Sequence, residues 1–237
     1  MSKMGKTEEK VGAVIAAAGS SRRMGGEDKI FVSLAGRPLL VHVLDVFQRC
    51  TMVEQIVIVL NEGNLEKGRR LIEEYGFSRV IEVCPGGERR QDSVGEGLKR
   101  LEGCQWVVIH DGARPCISLD LIQQGLEEAR QSGAAIAAVP AKDTIKIVGA
   151  EGIIQDTPPR ESLWAAQTPQ VFRFDIIREA YGSWEGEVTD DAALVEALGC
   201  KVKVYMGSYK NIKVTTQEDL ALAEIILRER DENRRRL

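Results

Sequence analysis

The stretch that most constrains the fold is residues 11–29, in which a short apolar run opens into glycines, two arginines and a lysine. The run at 11–18 has the length and apolar continuity of a strand buried on both faces of a parallel sheet. Small residues after such a strand let the backbone approach a ligand, and Arg22, Arg23 and Lys29 supply positive charge. The segment therefore predicts an anion site at the end of a buried strand, with an ordinary strand-to-loop turn as the alternative.

Two common phosphate-binding loops do not occur at this position. Gly19 is followed by Gly25 and Gly26, but no lysine followed by serine or threonine completes the G-x-x-x-x-G-K-[ST] motif. The G-x-G-x-x-G motif, which a nicotinamide oxidoreductase would need, is also missing. What remains is a different kind of phosphate loop, which runs from residue 17 to Met24 and on to Lys29.

Length and charge limit the class of protein. A chain of 237 residues suits one large α/β domain, and we expect a single domain over residues 1–237. Its 32 basic and 36 acidic residues give a net charge of −4, which provides no general attraction to nucleic acid or anionic membranes. Because the sequence has neither a transmembrane-length apolar window nor the apolar core of a signal peptide, we expect a cytoplasmic protein without nucleic-acid or membrane partners.

Cysteine and histidine give little support for thiol or metal chemistry. The five cysteines are widely spaced and never form C-x-x-C, so we expect packing residues rather than a disulfide framework or a zinc site. Of the two histidines, His42 falls within an amphipathic helix, which favours a structural role. Catalysis by histidine is therefore not expected.

Apolar runs and amphipathic segments alternate along the chain. We predict strands at 55–60, 79–84, 105–109, 134–139 and 201–205. We predict helices from Pro38, at 65–75, between Ser118 and Gly133, from Asp175, at 192–198 with Thr189 or Asp190 as N-cap, and from about Leu220. This order predicts the α/β class, with a Rossmann-like, mostly parallel sheet flanked by helices. Ligands bind such sheets at the carboxyl ends of the strands, around a topological switch point.

Two more predicted strands end in residues suited to ligand binding. Gly86 and Gly87 free the backbone after the third strand, and Ser93 offers a hydroxyl in the next helix, although a simple capped helix start is the alternative. The fourth strand runs into Asp111, a carboxylate that could bind a ligand hydroxyl or a divalent ion, and Arg114 adds an anion clamp. One carboxylate with phosphate oxygens suits Mg²⁺ but does not form a metal site from protein alone.

Residues 140–160 alternate with a period of two and turn at 149–152, which predicts a β-hairpin that protrudes from the parallel sheet. A hairpin of this kind cannot bury both faces by itself. It is either a flap folded on its own domain or a dimerisation arm that packs on another subunit.

An ordered series of motifs resembles the 2-C-methyl-D-erythritol 4-phosphate cytidylyltransferase family, within the sugar-phosphate nucleotidyltransferases. The motifs are 17–24 with Lys29, 86–93, 110–115, 143–146, 168–170, 189–190 and 211–215. The resemblance extends over nearly the whole chain. One departure is that Glu27 and Asp28 precede the lysine where relatives often have proline, which bears on the shape of the loop more than on its role.

The resemblance implies transfer of a cytidylyl group from CTP to 2-C-methyl-D-erythritol 4-phosphate, giving 4-CDP-2-C-methyl-D-erythritol and pyrophosphate in non-mevalonate isoprenoid synthesis. It implies Mg²⁺ or another divalent cation held mainly by the triphosphate, and a homodimer whose hairpin serves the partner's site. The implied catalytic residues are Arg23, Lys29, Arg160 and Lys213. The implied nucleotide-binding residues are Ala16, Ala17, Ala18, Gly19, Gly86, Gly87, Glu88, Ser93 and Gly112. The implied acceptor-binding residues are Asp111, Arg114, Thr144 and Thr189, with Thr144 and Arg160 acting across the dimer.

The residue types fit this chemistry without a general base. The nucleophile would be a phosphate monoester that is largely dianionic at neutral pH, since its second pKa is about 6. Catalysis would then consist of neutralising repulsion between anions, aligning the attack and stabilising charge on the α-phosphate. Two alternatives stay open: a ribitol 5-phosphate cytidylyltransferase of similar motifs, and a non-catalytic nucleotide-binding domain, which would not need Lys29, Arg160 and Lys213 together.

Overall fold

The structure is a computed structural model, in which residues 9–19 and 28–235 are described. Its strands are β1 (Val11–Ala16), β2 (Ser33–Leu34), β3 (Arg37–Pro38), β4 (Val53–Leu60), β5 (Val80–Pro85), β6 (Trp106–Asp111), β7 (Ala134–Pro140), β8 (Ile147–Val148), β9 (Ile154–Asp156), β10 (Trp164–Arg173) and β11 (Lys203–Met206). Its α-helices are α1 (Leu39–Arg49), α2 (Leu65–Tyr75), α3 (Arg90–Leu98), α4 (Leu119–Ser132), α5 (Phe174–Ser183), α6 (Asp191–Ala197) and α7 (Gln217–Arg235). Short 3-10 turns lie at Lys29–Phe31, Glu62–Asn64 and Arg160–Ser162.

A seven-stranded sheet has the order β11-β7-β10-β6-β1-β4-β5. Among these described strands, β10 alone runs antiparallel to its neighbours, β6 and β7, and the other pairings are parallel. The chain proceeds from β1 outward to β4 and β5, then returns to β6 on the opposite side of β1. This reversal creates a switch point between the carboxyl ends of β1 and β6, where Ala16 pairs with Asp111. The predicted mostly parallel α/β sheet is confirmed.

Helices cover both faces of the sheet because β1 is apolar on both faces. Ala13 and Ile15 pack in one cluster with residues of α1 and α4. Val14 packs in the opposite cluster with residues of α3, α5 and α6. The alternating direction of side chains along a strand explains this division, and it leaves the carboxyl ends of the strands as the open edge of the sheet.

The ends of several helices follow local capping signals. The side chain of Ser118 accepts from a backbone N–H in the first turn of α4, and Gly133 ends that helix with a φ of +85°. The side chain of Asp190 accepts from the N–H of Ala193 at 3.1 Å, so Asp190 rather than Thr189 is the N-cap of α6. Both predicted ends of α4 are therefore confirmed, and the choice of cap for α6 is resolved.

Predicted strand ends differ from the structure where pairing between distant segments decides them. The prediction that the fourth strand ends at Ile109 was wrong, because His110 and Asp111 continue β6 in register with Ile15 and Ala16 of β1. The first strand ends at Ala16 rather than at residue 18. Asp111 is consequently part of the sheet and not of a loop.

The predicted hairpin is formed by β8 and β9, which pair antiparallel. Its apolar side chains are unusually open to solvent: Ile145, Ile147, Val148, Ile153 and Ile154 are between 44% and 64% exposed. These side chains have no core to cover them within the described chain.

The cysteines carry no disulfide: Cys200 is half-buried and the other four are buried. Within the described residues, no helix combines the length and the apolar character needed to cross a membrane.

Candidate active site

A cleft of about 490 Å³ lies over the carboxyl ends of β1 and β6; it is called the large cleft below. Its lining includes most of the residues predicted to bind a nucleotide, namely Ala16, Ala17, Ala18, Gly19, Gly87, Glu88 and Ser93. Lys29, Asp111 and Lys213 line the same cleft, although they are far apart in the sequence. The fold thus brings together the loops that follow β1, β5 and β6.

Gly86 and Gly112 do not line the cleft, but both permit its walls to approach each other. A Cβ atom on Gly86 would lie 2.5 Å from the Cβ of Ala18 and 2.5 Å from the Oγ of Ser93. A Cβ atom on Gly112 would lie 2.7 Å from the Cβ of Ala17. Since such distances are far below van der Waals contact, only glycine fits at these two positions without displacing the loop after β1.

The loop before α3 is braced by its own side chains. The N–H of Gly87 donates to the Oγ of Ser93 at 3.2 Å, and that hydroxyl lies 3.2 Å from the carbonyl of Arg89, to which it can donate. Asp92 accepts from the backbone N–H of Arg89 at 3.1 Å and from the Arg89 guanidinium, which satisfies a backbone donor at the start of α3. These bonds hold the glycine pair in the shape that lines the large cleft.

Lys29 reaches the cleft from a short 3-10 turn. The side chain of Asp28 caps this turn, and its carboxylate accepts from Asn61 Nδ2 at 2.8 Å and from Asn64. The departure at Glu27-Asp28 therefore supplies an anchor for the turn through Asp28. Arg23, the other cation predicted here, lies outside the described residues, as do Arg22 and Met24.

A second pocket of about 270 Å³, called the small pocket below, adjoins the large cleft. It is lined by Arg114 and Thr189, and it shares Arg90, Asp111 and Lys213 with the large cleft. Three of the predicted acceptor-binding residues therefore meet at one place. Asp111 marks the boundary between the two cavities.

Asp111 is surrounded by cations. Its Oδ1 lies 3.0 Å from Arg90 Nε, and its Oδ2 lies 2.9 Å from Lys213 Nζ. Arg114 Nε is 3.5 Å from the same Oδ2. Burial opposes ionisation of this carboxyl, but the cations of Arg90, Lys213 and Arg114 outweigh burial and hold its pKa well below the usual range. Asp111 is therefore a fixed negative charge.

Arg90 and Asp191 are site residues that sequence reasoning missed. Arg90 Nη2 lies 2.8 Å from Asp191 Oδ2, and Tyr181 Oη donates to Asp191 Oδ1 at 2.6 Å. Asp191 is fully buried at the start of α6. The one available signal was that Asp191 is an acidic residue at the first position of a predicted helix. Such residues are more often exposed to solvent, where they interact favourably with the helix dipole.

The histidines are buried and hydrogen-bonded. His110 Nδ1 lies 3.0 Å from Thr168 Oγ1, and burial lowers the pKa of His110 to about 3. The same Oγ1 accepts from the backbone N–H of Asp111 at 3.0 Å, so His110 and Thr168 support the strand end. His42 Nε2 lies 2.7 Å from the carbonyl of Leu34, and burial lowers its pKa too. The burial and the hydrogen bonds of both histidines fit a structural role.

Thr144 and Arg160 are not brought to these cavities. Both are exposed, and neither is among the described residues that line the large cleft or the small pocket. Arg160 Nη1 donates instead to the carbonyl of Lys142 at 3.1 Å, next to the hairpin. Within one chain these two predicted residues are separated from the rest of the site.

The donor set does not form a metal cage from protein alone. No group of three or more histidine, cysteine, aspartate or glutamate side chains is gathered for a metal within the described residues. Both carboxylate oxygens of Asp111 already face cations. A divalent cation at this site would depend on oxygens supplied by a ligand.

Glycine-bearing loops, several cations and the buried carboxylate of Asp111 at the switch point of a Rossmann-like sheet are typical of a nucleotidyltransferase. The family model for 2-C-methyl-D-erythritol 4-phosphate cytidylyltransferase matches residues 11–229. The chain belongs to this family of cytidylyltransferases.

Curated relatives and solved structures agree with this assignment. The 2-C-methyl-D-erythritol 4-phosphate cytidylyltransferase of Dehalococcoides mccartyi is 56% identical over 220 residues, which cover 93% of this chain and 97% of the relative. The enzyme of the same name from Alkaliphilus oremlandii is 45% identical over 231 residues, which cover 95% of this chain and 98% of the relative. A crystal structure of 4-diphosphocytidyl-2C-methyl-D-erythritol synthase from Anaerococcus prevotii superposes with a TM-score of 0.83 at 33% identity, covering 93% of this chain and 97% of that chain.

Proposed function

We propose that the large cleft binds CTP, that the small pocket binds 2-C-methyl-D-erythritol 4-phosphate, and that the protein joins them with loss of pyrophosphate. The product would be 4-CDP-2-C-methyl-D-erythritol. The observation that carries this proposal is the position of Asp111, which lines both cavities. Arg90 and Lys213 also line both of them. Two substrates that react with each other need adjoining cavities with a common wall.

On the nucleotide side, the small residues Ala16, Ala17, Ala18 and Gly19 let the triphosphate lie close to the backbone after β1. The loop with Gly87, Glu88 and Ser93 would form the pocket for cytidine, and Gly86 and Gly112 would let the walls of that pocket approach each other. Lys29, with Arg23 as the family resemblance suggests, would stabilise the charge that develops on the α-phosphate and on the departing pyrophosphate.

On the acceptor side, Asp111 would accept a hydrogen bond from a hydroxyl of the sugar alcohol. Lys213 and Arg114, which face Asp111 Oδ2, would bind the acceptor phosphate together with Thr189. A phosphate oxygen of the acceptor then attacks the α-phosphorus, a new P–O bond forms, and the bond to pyrophosphate breaks. No proton needs to be removed from the nucleophile, which agrees with the burial of His110 and the low pKa that burial gives it.

Mg²⁺ or another divalent cation would enter with the triphosphate, as part of the nucleotide substrate. Bound there, it supplies neutralisation of phosphate charge. This proposal is consistent with the described residues, which gather no group of three or more histidine, cysteine, aspartate or glutamate side chains for a metal.

We further propose a homodimer in which the hairpin of one subunit covers the small pocket of the other. The exposed isoleucines of β8 and β9 would be buried by this contact. Thr144 and Arg160, which lie outside the pockets of their own chain, would then meet the partner's acceptor. The root of the hairpin is fixed, because Tyr209 Oη donates to the carbonyl of Pro140 at 2.8 Å.

The unpaired cysteines agree with a reducing compartment, and we propose that the reaction takes place in the cytoplasm.

The main test is to follow pyrophosphate release with CTP, Mg²⁺ and either methylerythritol phosphate or ribitol 5-phosphate. We expect rapid release with the first acceptor. Faster release with ribitol 5-phosphate would assign the acceptor differently, and no release with either would contradict the proposed reaction.

A further inference from the structure

A buried chain of polar contacts leads away from the active site behind Asp111. Arg90 uses Nε for Asp111 Oδ1 at 3.0 Å and Nη2 for Asp191 Oδ2 at 2.8 Å. A planar guanidinium held at two edges cannot turn without breaking a charge-assisted bond. The orientation of Arg90 is therefore determined as much by Asp191 as by Asp111.

Asp191 is itself fixed by Tyr181. The phenol donates to Asp191 Oδ1 at 2.6 Å, and burial together with the nearby carboxylate of Asp191 raises the pKa of Tyr181. The phenol thus stays protonated and keeps its donor. Both oxygens of Asp191 are consequently occupied within the protein, and Asp191 lines neither the large cleft nor the small pocket as the described residues define them.

A carboxylate buried away from any ligand needs an explanation. Burial of an ion pair seldom stabilises a fold more than apolar residues of the same volume would, because both ions lose their hydration. The helix α6 already has a cap in Asp190, whose side chain accepts from the N–H of Ala193. Asp191 is therefore not required as the cap, and its clearest contribution is the orientation of Arg90.

We propose that Asp191 is a positioning residue that, together with Tyr181, holds Arg90 against one oxygen of Asp111. This inference rests on the proposed role of Asp111 in binding the acceptor. The two oxygens of Asp111 are divided: Oδ1 faces Arg90, and Oδ2 faces Lys213. When the acceptor arrives, Lys213 can turn to its phosphate while Arg90 remains and keeps Asp111 in place.

The test is a double-mutant cycle between Asp191→Asn and Asp111→Asn, with kcat, KM for the acceptor and affinity for CTP measured in each variant. We expect Asp191→Asn to lower kcat/KM for the acceptor by roughly tenfold and to leave CTP affinity nearly unchanged. Added to Asp111→Asn, it should cause little further loss, since its effect passes through Asp111. Tyr181→Phe should act in the same direction but more weakly.

Asp175→Asn is the matched control, because it also removes a carboxylate from an arginine, at an exposed pair 2.6 Å apart on the surface. It should leave acceptor kinetics unchanged.

Losses that multiply in the double variant would mean that Asp191 does not act through Asp111, and the inference would be wrong. If thermal unfolding shows that the Asp191→Asn variant does not fold, the cycle of Tyr181→Phe with Asp111→Asn takes its place. Losses that multiply in that double variant would likewise contradict the inference. An Asp111→Asn enzyme with unchanged acceptor kinetics would instead contradict the proposed function.

Discussion

Asp111 has more cationic neighbours than one carboxylate needs for neutralisation. Arg90, Lys213 and Arg114 all lie within 3.5 Å of its oxygens. An excess of positive charge around a buried carboxylate suits a site that must still receive a dianionic phosphate. Lys213 therefore pairs with Asp111, and the phosphate of the proposed acceptor would compete with Asp111 for it.

Replacement of Lys213 should affect the acceptor and leave CTP binding intact. We expect Lys213→Ala to weaken use of the sugar phosphate by roughly tenfold to a hundredfold, because a charge-assisted contact to phosphate is lost. Initial rates at varied acceptor concentration and calorimetry with CTP alone measure the two effects. Equal loss of CTP affinity would mean that Lys213 serves the nucleotide instead.

The same variant should change the pH dependence. Lys213 is one of the cations that hold the pKa of Asp111 low against the effect of burial, so its removal raises that pKa. The acceptor phosphate, with a second pKa of about 6, sets the first acid break in kcat/KM. Activity that needs ionised Asp111 is lost as the pH falls further through the pKa of Asp111, and this second acid break should therefore move to higher pH. Arg90 and Arg114 still face Asp111, and His110 stays neutral, so the shift should be partial. An unchanged second acid break would contradict this assignment.

Lys29 should act mainly on the chemical step. We expect Lys29→Ala to lower kcat by about a hundredfold to a thousandfold with little change in KM for the acceptor, because its contact strengthens as charge develops on the leaving group. Lys99→Ala is a suitable control, since Lys99 is an exposed lysine paired with Glu96 on α3. A Lys29→Ala enzyme with kcat within about threefold of the wild type would remove Lys29 from the catalytic residues.

Site residues could be predicted where a local pattern marks them. Asp111 was identified because an acid at the end of an apolar strand is unusual in sequence. The partnership of Arg90 with Asp191 could not be found in this way, because the two residues are 101 positions apart and each has a common surface role when considered alone. They meet only in the folded chain, where α6 packs on α5 and its first residue faces the first residue of α3.

Elements were predictable to the extent that their ends are encoded locally. The limits of α4 follow from Ser118 and Gly133, which cap the helix by short-range bonds. The end of β6 could not be predicted, because its last residues are ordered by pairing with β1, almost a hundred positions earlier. Strand length is a property of the sheet rather than of the strand's own sequence.

Close packing of the loops at the sheet edge makes Gly86 sensitive to a single added methyl group. We expect Gly86→Ala to destabilise the fold by roughly 1–3 kcal/mol and to weaken CTP binding, since the new Cβ would overlap Ala18 and Ser93. Thermal unfolding and calorimetry with CTP give the two measurements.

The control for Gly86→Ala is Gly182→Ala in α5, where no atom lies within 4 Å of the added Cβ. That substitution should stabilise the helix by about 0.5–1 kcal/mol and leave CTP affinity unchanged. A Gly86→Ala variant that binds CTP as tightly as the wild type would contradict the close approach of the two loops.

At the scale of the whole molecule, the position of Arg160 decides how the site is completed. It lies outside both cavities of its own chain, next to a hairpin whose apolar side chains are exposed. Sequence periodicity predicted the hairpin itself, whereas the proposed cover by a second copy of the chain depends on contacts that this periodicity does not encode.

Mixing two inactive enzymes, Lys29→Ala and Arg160→Ala, tests whether Arg160 acts across the dimer. If it does, each mixed dimer contains one intact site and one doubly defective site, and random exchange restores about a quarter of wild-type activity. Subunit exchange should be verified by mass spectrometry of differently tagged chains. Verified exchange without recovery would assign Arg160 to its own subunit and make the hairpin a flap.

The antiparallel direction of β10 within the seven-stranded sheet affects how this enzyme can diversify. Because β10 runs back from the edge where β7 ends, Pro140 and Trp164 are direct neighbours, and the N–H of Ala141 donates to the carbonyl of Leu163 at 2.9 Å. The excursion between them thus leaves and re-enters the sheet at one point. Its length can change in evolution with little effect on the register of the strands, since loop closure depends only weakly on length. The sheet and the hairpin are therefore free to evolve at different rates.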